Sequence, residues 1–459
     1  MITINLPYHY KQLNLPFETE PLQPEVANDS SDTPPLQLTV KEIIEMYLST
    51  LPFPEEYSYL DKFYRVIGCG TGVLGYHLSI CDHCGLETYH PNLCNHSLCH
   101  VCQSIISRNW INNRISELLP VPYYQIVFGL PNKLNLFALY NKKVVYDIFF
   151  ECVEKAMNVG IEAKKIDIGY MSILQPFSAD IWHTPHMHLV IPGVGLVKGK
   201  IQEFPSKEYL PTSHEILKRE FRDEFIKKLE ELYLGKRKSK KEKEKEDSNA
   251  VSEKINWPKE LEELANDSEK FGEWLEELKN EKWDVYIGEG TRVDSKELIY
   301  YVAQRLPISD EQIIGANLNK VVFNNTRGQK RELSLDEFVR RLSCLEMPSG
   351  YHRIRNYGFL SNSVKKQKLE EIRKKLGVSE TKEQEETENK CRRCGEGKMR
   401  TIIFIFPGKV IKICENNLDK IKVIPTWFNI FETLDQETNI REVYDFLPDW
   451  LVELLESVD

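Results

Sequence analysis

Long apolar runs are missing from this chain: nowhere in its 459 residues does an uncharged apolar stretch approach the ~18 residues a membrane-spanning helix requires. The opening segment MITINLPYHYKQLNLPF has neither a basic n-region nor an apolar h-region. Both absences lead to the expectation of a soluble, cytoplasmic protein. Histidine is scarce, with 11 in the whole chain. No HExxH occurs among them, which sets aside the metalloprotease arrangement of two imidazoles one helical turn apart with a glutamate base. A surplus of positive charge is also absent, since the formal net charge is -10, and at face value this argues against a nucleic-acid partner. The charge is uneven, however, with 13 Lys/Arg against 6 Asp/Glu from Asn324 to Leu376 and 11 against 17 from Val378 to Asp459. Screening limits electrostatic reach to roughly 8–10 Å in physiological salt, so a local basic face can still meet DNA.

Length predicts two to four folding units, and 41% hydrophobic residues suffice to give them cores. Residues 1–40 read as an extended or disordered arm containing the Pro/Ser/Asp-rich stretch PLQPEVANDSSDTPPLQ. VKEIIEMYLSTL then predicts a short amphipathic helix that opens a cysteine-rich module over 41–115. From about Pro120, strand patterns (YYQIVFGLP, IDIGYMSILQPF, HMHLVIPG) alternate with the long helical pattern NKLNLFALYNKKVVYDIFFECVEKAMNVG. The expected class is α+β, over residues 120–376. GKRKSKKEKEKEDSNA, Gly235–Ala250, is charged and of low complexity and reads as a solvated linker within an insertion over 235–280. SKELIYYVAQRLP predicts a helix of about three turns with Ser295 as N-cap and Pro307 as its stop. A last region, 385–459, carries CRRC and an acidic tail.

Cysteine is clustered, with Cys69, Cys81, Cys84, Cys94, Cys99 and Cys102 close together and Cys391 and Cys394 far downstream. CxxC pairs without an export signal favour metal over disulfides. CDHC (Cys81, Cys84), followed after 14 residues by CHVC (Cys99, Cys102), has the two-knuckle spacing of a four-thiolate structural Zn²⁺ site. Gly85 supplies the permissive backbone such a knuckle uses. Cys69, His77, Cys94 and His96 are left over and could close a second zinc site. Cys391 and Cys394 are a carboxyl-terminal zinc candidate, with Cys414 the cysteine that follows within reach. A closed thiolate site has no open coordination position, so this module is expected to bind or scaffold rather than catalyse. Cys152 and Cys344 stand alone and read as buried small apolar residues.

The chemistry concentrates in IWHTPHMHLVIPGVG, Ile181–Gly195. On a strand, His186 and His188 project from one face. They can be two hydrogen-bonded core histidines, or a clamp for a divalent cation that draws charge from a phosphate while a tyrosine attacks. The second reading demands a tyrosine on a helix able to face the sheet, and Tyr300 and Tyr301 supply it. Gln304, one turn beyond, offers an amide oxygen as third metal ligand, a role for which His183 competes.

HTPHMHLVIPGVG resembles the HPHxHxxVPGGG segment of the rolling-circle, HUH-type tyrosine transposases of the insertion-sequence-ninety-one family. GCGTGVLGYHLSICDHCG and LCNHSLCHVCQS resemble that family's amino-terminal zinc-binding domain. WINNRISELLPVPYYQIVFGLP resembles the start of its catalytic domain, and SCLEMPSGYHRIRNYGFLSN its GFHRIRxYGFL block. The matches run in order from about Cys69 to Leu376. The resemblance implies an HUH nuclease domain with a central antiparallel sheet flanked by helices, preceded by a zinc-binding domain and followed by a short zinc-ribbon-like tail. It also implies an enzyme that nicks and rejoins single-stranded transposon ends and target DNA in a prokaryotic cell, nucleoid-associated when bound. Mg²⁺ or Mn²⁺ would sit on His186 and His188, and a covalent 5′-phosphotyrosine would form on Tyr301, or on Tyr300, leaving a free 3′-hydroxyl.

Departures from the family pattern are informative. Where members commonly show YLxRY, this chain has YVAQR, so Tyr301 aligns with the first tyrosine and Arg305 stands at the second, similar to a single-tyrosine branch. Leu98 stands where the zinc domain usually has histidine, and GVG replaces GGG. YHRIRNYGFL interleaves basic and aromatic residues, which suits phosphate contacts and base stacking by Arg353, Arg355 and Tyr357. A rolling-circle replication initiator or relaxase shares the chemistry. A catalytically decayed zinc-ribbon DNA-binding protein would keep the cysteines and tolerate loss of the histidines and tyrosines.

Overall fold

A computed structural model describes residues 36–51, 61–235, 254–288, 295–378, 390–407, 410–418, 420–421 and 451–452. Most of the amino-terminal arm, the charged run after Gly235 and most of the acidic tail lie outside these residues. Chain contacts divide it into two compact units: Leu38–Ile106 with Lys382–Asp459, and Met1–Gln37 with Ser107–Thr381.

The first unit starts with helix α1 (Val40–Thr50), whose capping box has Thr39 accepting from the Glu42 N–H while the Glu42 carboxylate reaches back to Thr39. Its apolar face buries Val40, Ile43, Ile44 and Leu48. Helix α2 (Asp61–Ile67) follows, then the hairpin of β1 (Tyr76–Cys81) and β2 (Glu87–Pro91), with Tyr76 opposite Pro91. Helix α3 (His100–Glu117) opens between the cysteines of the second CxxC pair, and its residues from Ser107 onward belong to the other unit.

The second unit is built on β3 (Tyr123–Gly129), helices α4 (Asn135–Tyr140) and α5 (Lys142–Lys164), β4 (Asp167–Ile168), β5 (Tyr170–Phe177) and β6 (His183–Pro192). It continues through β7 (Val194–Val197), β8 (Lys200–Glu203), α6 (His214–Tyr233), α7 (Ser268–Asn280), β9 (Asp284–Ile287) and α8 (Ser295–Val302). After these come β10 (Ile313–Ala316), β11 (Lys320–Asn324), β12 (Lys330–Ser334), α9 (Leu335–Cys344), β13 (Ile354–Tyr357) and α10 (Lys365–Lys375). The main sheet is antiparallel, in the order β13-β5-β6-β3-β9. Two smaller three-stranded sheets, β4-β7-β8 and β10-β11-β12, are formed by strands that lie between those of the main sheet in sequence.

Period-two alternation sorts the side chains of the main sheet into two layers. Tyr124, Ile126 and Phe128 of β3 and Met187, Leu189 and Ile191 of β6 enter a core shared with Phe149 and Phe150 of α5 and Phe221 and Phe225 of α6. The alternate residues, Tyr123, Met171, Ile173 and Val190, pack with Ile299 and Val302 of α8 and Leu369 and Ile372 of α10. The mixed α/β class with an antiparallel sheet agrees with the sequence expectation. Among the described residues, no helix is long and apolar enough to cross a membrane.

The carboxyl-terminal region differs from its expectation as a separate unit. Its strands β14 (Met399–Phe406) and β15 (Val410–Ile413) join the hairpin of the first unit in the order β15-β14-β1-β2, and helix α11 (Glu415–Leu418) follows. The free edge of β1 is what binds it: Cys81 pairs opposite Met399 and Tyr76 opposite Ile405.

Candidate active site and zinc centres

β6 lies in the middle of the main sheet, with His186 opposite Gln175 on one neighbour and Gly129 on the other. His188 is opposite Ile173 and Val127, so both imidazoles rise from the face that α8 covers, and their ring centroids are 4.9 Å apart. His186 donates Nδ1–H to the Thr184 carbonyl at 3.0 Å, which leaves its Nε2 lone pair for a ligand. His188 accepts from Gln125 Nε2 at Nδ1 (2.8 Å) and donates Nε2–H to Gln175 Oε1 (3.1 Å). To bind a cation at Nε2 its proton must move to Nδ1 and the Gln125 amide must present its oxygen, which a rotation of that amide provides. Burial holds both rings neutral, with His186 pushed below the ordinary imidazole range and His188 pushed to about 3, there helped by His186 beside it. Neutral imidazoles are the form that binds metal.

Helix α8 lies over this clamp. Tyr301 presents its ring to His188 edge-on, with centroids 5.4 Å apart and planes at 88°. Tyr301 is 54% exposed and Tyr300 56%, but among the described residues Tyr300 makes no ring contact with either histidine. A one-residue step turns a helix by about 100°, so the two tyrosines cannot share that position.

The other expected site residues lie elsewhere. α8 ends at Val302, well before Pro307, so Gln304 is not a turn further along its face, and Ser295 is its first helical residue rather than its cap. Gln304 contributes its backbone carbonyl instead, accepting from Arg353 Nη2 at 2.9 Å. His183 points to the opposite layer, hydrogen-bonded through Nε2 to the Tyr146 hydroxyl at 2.7 Å and held to a pKa of about 3 by burial, so it cannot join His186 and His188. The donor beside His188 is Gln175, which the sequence reading missed. Gln175 and Gln125 were visible as lone amides inside apolar strands, a pattern that demands buried partners.

The three residues expected to meet DNA in the basic block make contacts within the protein. Arg353 is 7% exposed and spends its guanidinium on the carbonyls of Gln304 and Arg305. Arg355 faces α5, paired with Asp147 and stacked 4.0 Å over Phe150. Tyr357 stacks on Tyr170 with centroids 4.8 Å apart and planes at 14°. Arg353 directly precedes β13 and is buried, while Arg355 and Tyr357 lie on this edge strand and are half-buried.

The cysteines form two groups of four, Cys69/Cys94/Cys99/Cys102 and Cys81/Cys84/Cys391/Cys394, with ligand atoms within 4.8 Å of one another in each. This corrects the expected pairing of Cys81 and Cys84 with Cys99 and Cys102. The β1–β2 hairpin is the cause: five steps of about 3.4 Å along β1 put its ends some ~17 Å apart. Cys94 and the second CxxC pair gather at one end, Cys81 and Cys84 at the other, where β14 delivers Cys391 and Cys394. The Sγ separations are 3.6 Å for Cys69–Cys102, and 3.7 Å for Cys94–Cys102, Cys81–Cys394 and Cys84–Cys391. A tetrahedron with Zn–S bonds of ~2.3 Å has an edge of ~3.8 Å, and a disulfide would need ~2.05 Å. Both groups therefore fit structural zinc. Backbone N–H groups of Gly397 and Glu396 lower Cys394 to a pKa of about 6, favouring the thiolate a metal needs.

Three expected ligands are outside these groups. His77 bonds Asn92 Oδ1 at 3.2 Å and packs against Phe404, and His96 accepts from the Leu98 N–H at 3.2 Å. Cys414 follows β15, its backbone N–H bonded to the Ile402 carbonyl. With eight cysteines closing two sites, neither site has a vacant position for them.

Comparison with known proteins agrees with this arrangement. Residues 40–130 match the transposase zinc-binding domain, and residues 169–368 match a family model described as "Putative transposase". A protein of Sinorhizobium fredii bearing the same description, y4qJ, is 29% identical over 370 residues, which are 74% of this chain and 87% of that protein. The transposase for insertion sequence element IS801 of Pseudomonas savastanoi pv. phaseolicola is 27% identical over 135 residues, 29% of this chain and 32% of that protein. No solved structure matches the chain. The two family-model matches and these relatives converge, and the chain belongs to the insertion-sequence-ninety-one family of transposases.

Proposed function

We propose that this transposase nicks and rejoins single-stranded DNA at transposon ends through Tyr301, with a divalent cation held by His186, His188 and the amide oxygen of Gln175, on an HUH nuclease fold. The observation that carries the reading is the edge-on contact of Tyr301 with His188. The donor set supports it as well: cis ligands at ~2.1 Å in an octahedron lie about 3.0 Å apart, and Gln175 Oε1 is 3.1 Å from His188 Nε2.

Bound Mg²⁺ or Mn²⁺ would act as Lewis acid toward the scissile phosphate. Tyr301 Oη attacks phosphorus, the bond from phosphorus to the 3′-oxygen breaks, and the 5′-phosphate stays as an ester on Tyr301. The phenol proton lost through solvent balances the proton taken up by the released 3′-oxygen. A 3′-hydroxyl attacking the same ester reverses the step and rejoins DNA, with phenoxide as leaving group, so no external energy source is consumed. Half-exposure of Tyr301 gives the phenol both strand and solvent access.

The test is a denaturing gel for a covalent protein–oligonucleotide adduct on single strands from the element's own ends, with Mg²⁺ or Mn²⁺. Tyr301→Phe and His186→Ala/His188→Ala are expected to lose the adduct, while Tyr300→Phe retains it. An adduct that survives Tyr301→Phe but not Tyr300→Phe would move the nucleophile by one residue. No wild-type adduct on cognate ends would leave a zinc-dependent DNA-binding protein.

A further inference from the structure

Helix α8 has only eight residues, too few to be stable alone, and its carboxyl end must find partners for carbonyls that no further turn will satisfy. The carbonyl of Val302, the last residue of α8, and those of the three residues that follow each accept from a side chain of another element. Val302 accepts from Gln175 Nε2 at 3.5 Å, Ala303 from Ser107 Oγ at 3.0 Å, Gln304 from Arg353 Nη2 at 2.9 Å and Gln175 Nε2 at 3.5 Å, and Arg305 from Arg353 Nη1 at 3.3 Å. Arg353 is buried, and among the described residues no carboxylate pairs with it. A cation without a counter-ion is costly to bury, and the negative end of a short helix is one of the few places that compensates it. Gln175 is the only one of these donors whose other end touches the histidine clamp, through Oε1 to His188.

We propose that Arg353 and Gln175 are positioning residues that seat the tyrosine helix on the histidine strand, and that Gln175 links cation binding to the placement of Tyr301. This rests on the metal reading above. One amide carries both contacts: a cation on Oε1 fixes the plane of the Gln175 amide, and with it the Nε2–H groups that hold Val302 and Gln304. Seating of α8 in turn holds Oε1 where the cation needs it, so each event favours the other.

The two halves of the amide can be separated. Gln175→Glu keeps an oxygen for the cation but replaces the donor with a second oxygen facing two carbonyls. The measurements are Mn²⁺ affinity by calorimetry and amide hydrogen exchange of Ile299–Arg305, on the full chain without DNA, together with the adduct rate. In wild type, Mn²⁺ is expected to slow exchange at Val302–Arg305 by at least about five-fold, the low end of a typical coupling. Gln175→Glu should bind Mn²⁺ at least as tightly, lose that protection, and form adduct at least about ten-fold more slowly, since misplacement of a reacting group costs up to ~10²-fold. Arg353→Lys, which keeps the charge but not the fork, should raise exchange at Gln304 and Arg305 even without metal. Retention of both the Mn²⁺-dependent protection and the adduct rate in Gln175→Glu would overturn the link while leaving the metal reading intact. Mn²⁺ binding that persists in His186→Ala/His188→Ala would instead sink the metal reading, and the link with it.

Discussion

The two units hold themselves together by different physics. Leu38–Ile106 with the carboxyl-terminal residues has a small sheet and two cysteine groups, one local to Cys69–Cys102 and one joining Cys81 and Cys84 to Cys391 and Cys394, about 300 residues away in sequence. Ser107–Thr381 has aromatic and aliphatic layers on both faces of a five-stranded sheet, with Phe221 alone touching Phe128, Phe149, Phe225 and Trp283. In the first, metal ligation substitutes for area. In the second, area suffices, and polar groups are free to be organised for chemistry.

The largest effect that would sharpen this contrast is zinc removal. Structural zinc contributes roughly 10–16 kcal/mol of apparent binding free energy. A strong chelator should therefore abolish hydrogen-exchange protection around Cys69–Cys102 and Met399–Phe406 while leaving the core of α5, α6 and the main sheet protected. Elemental analysis should find two zinc ions per chain, and one in Cys391→Ser/Cys394→Ser. Loss of both ions in that variant would break the picture of independent sites.

Phe221→Ala is the converse experiment, expected to cost about 3–5 kcal/mol by cavity formation in a fully buried site. The thermal unfolding midpoint of the second unit should fall with zinc content unchanged. Acid lability comes next. His183 is held neutral, with a pKa of about 3 in the fold, against an ordinary value near 6.5 when unfolded. The unfolded chain therefore binds the extra proton, and the stability this gives is complete above about pH 6.5 and drains away as pH falls toward 3. Between pH 7 and 5 the loss is on the order of 2 kcal/mol from this group, and denaturant titrations of wild type and His183→Gln should differ in slope over that window.

The smallest effect separates packing from binding. Arg355→Met removes the pair with Asp147 and should cost about 1–2 kcal/mol of stability. Its affinity for single-stranded DNA, followed by fluorescence anisotropy across salt concentrations, should not change. A shallower salt dependence in Arg355→Met would show that the side chain meets phosphate after all.

Legibility in the sequence followed the range of the interaction. His186 and His188 were readable because a strand's two-residue period alone puts them on one face. The tyrosine pair was readable as helical, but which of the two rings meets His188 needed the packing of α8 on the sheet. The zinc chemistry was visible in CxxC spacing, yet the partners were misassigned because spacing along the chain carries no information about which end of a hairpin each knuckle occupies. The partners of Arg353 and Arg355 were hidden for a related reason: neither the carbonyls of Gln304 and Arg305 nor the carboxylate of Asp147 is near them in sequence.

The sequence by itself determined the residue types and their local order, and with them the α+β class, the cysteine-metal chemistry and the family. Only the tertiary structure decided which thiolates share a site, that Gln175 rather than Gln304 or His183 stands beside His188, and that the carboxyl-terminal strands complete the amino-terminal sheet. These are contacts between segments tens to hundreds of residues apart. They are set by sheet register and by the burial of two faces at once, which no local period encodes.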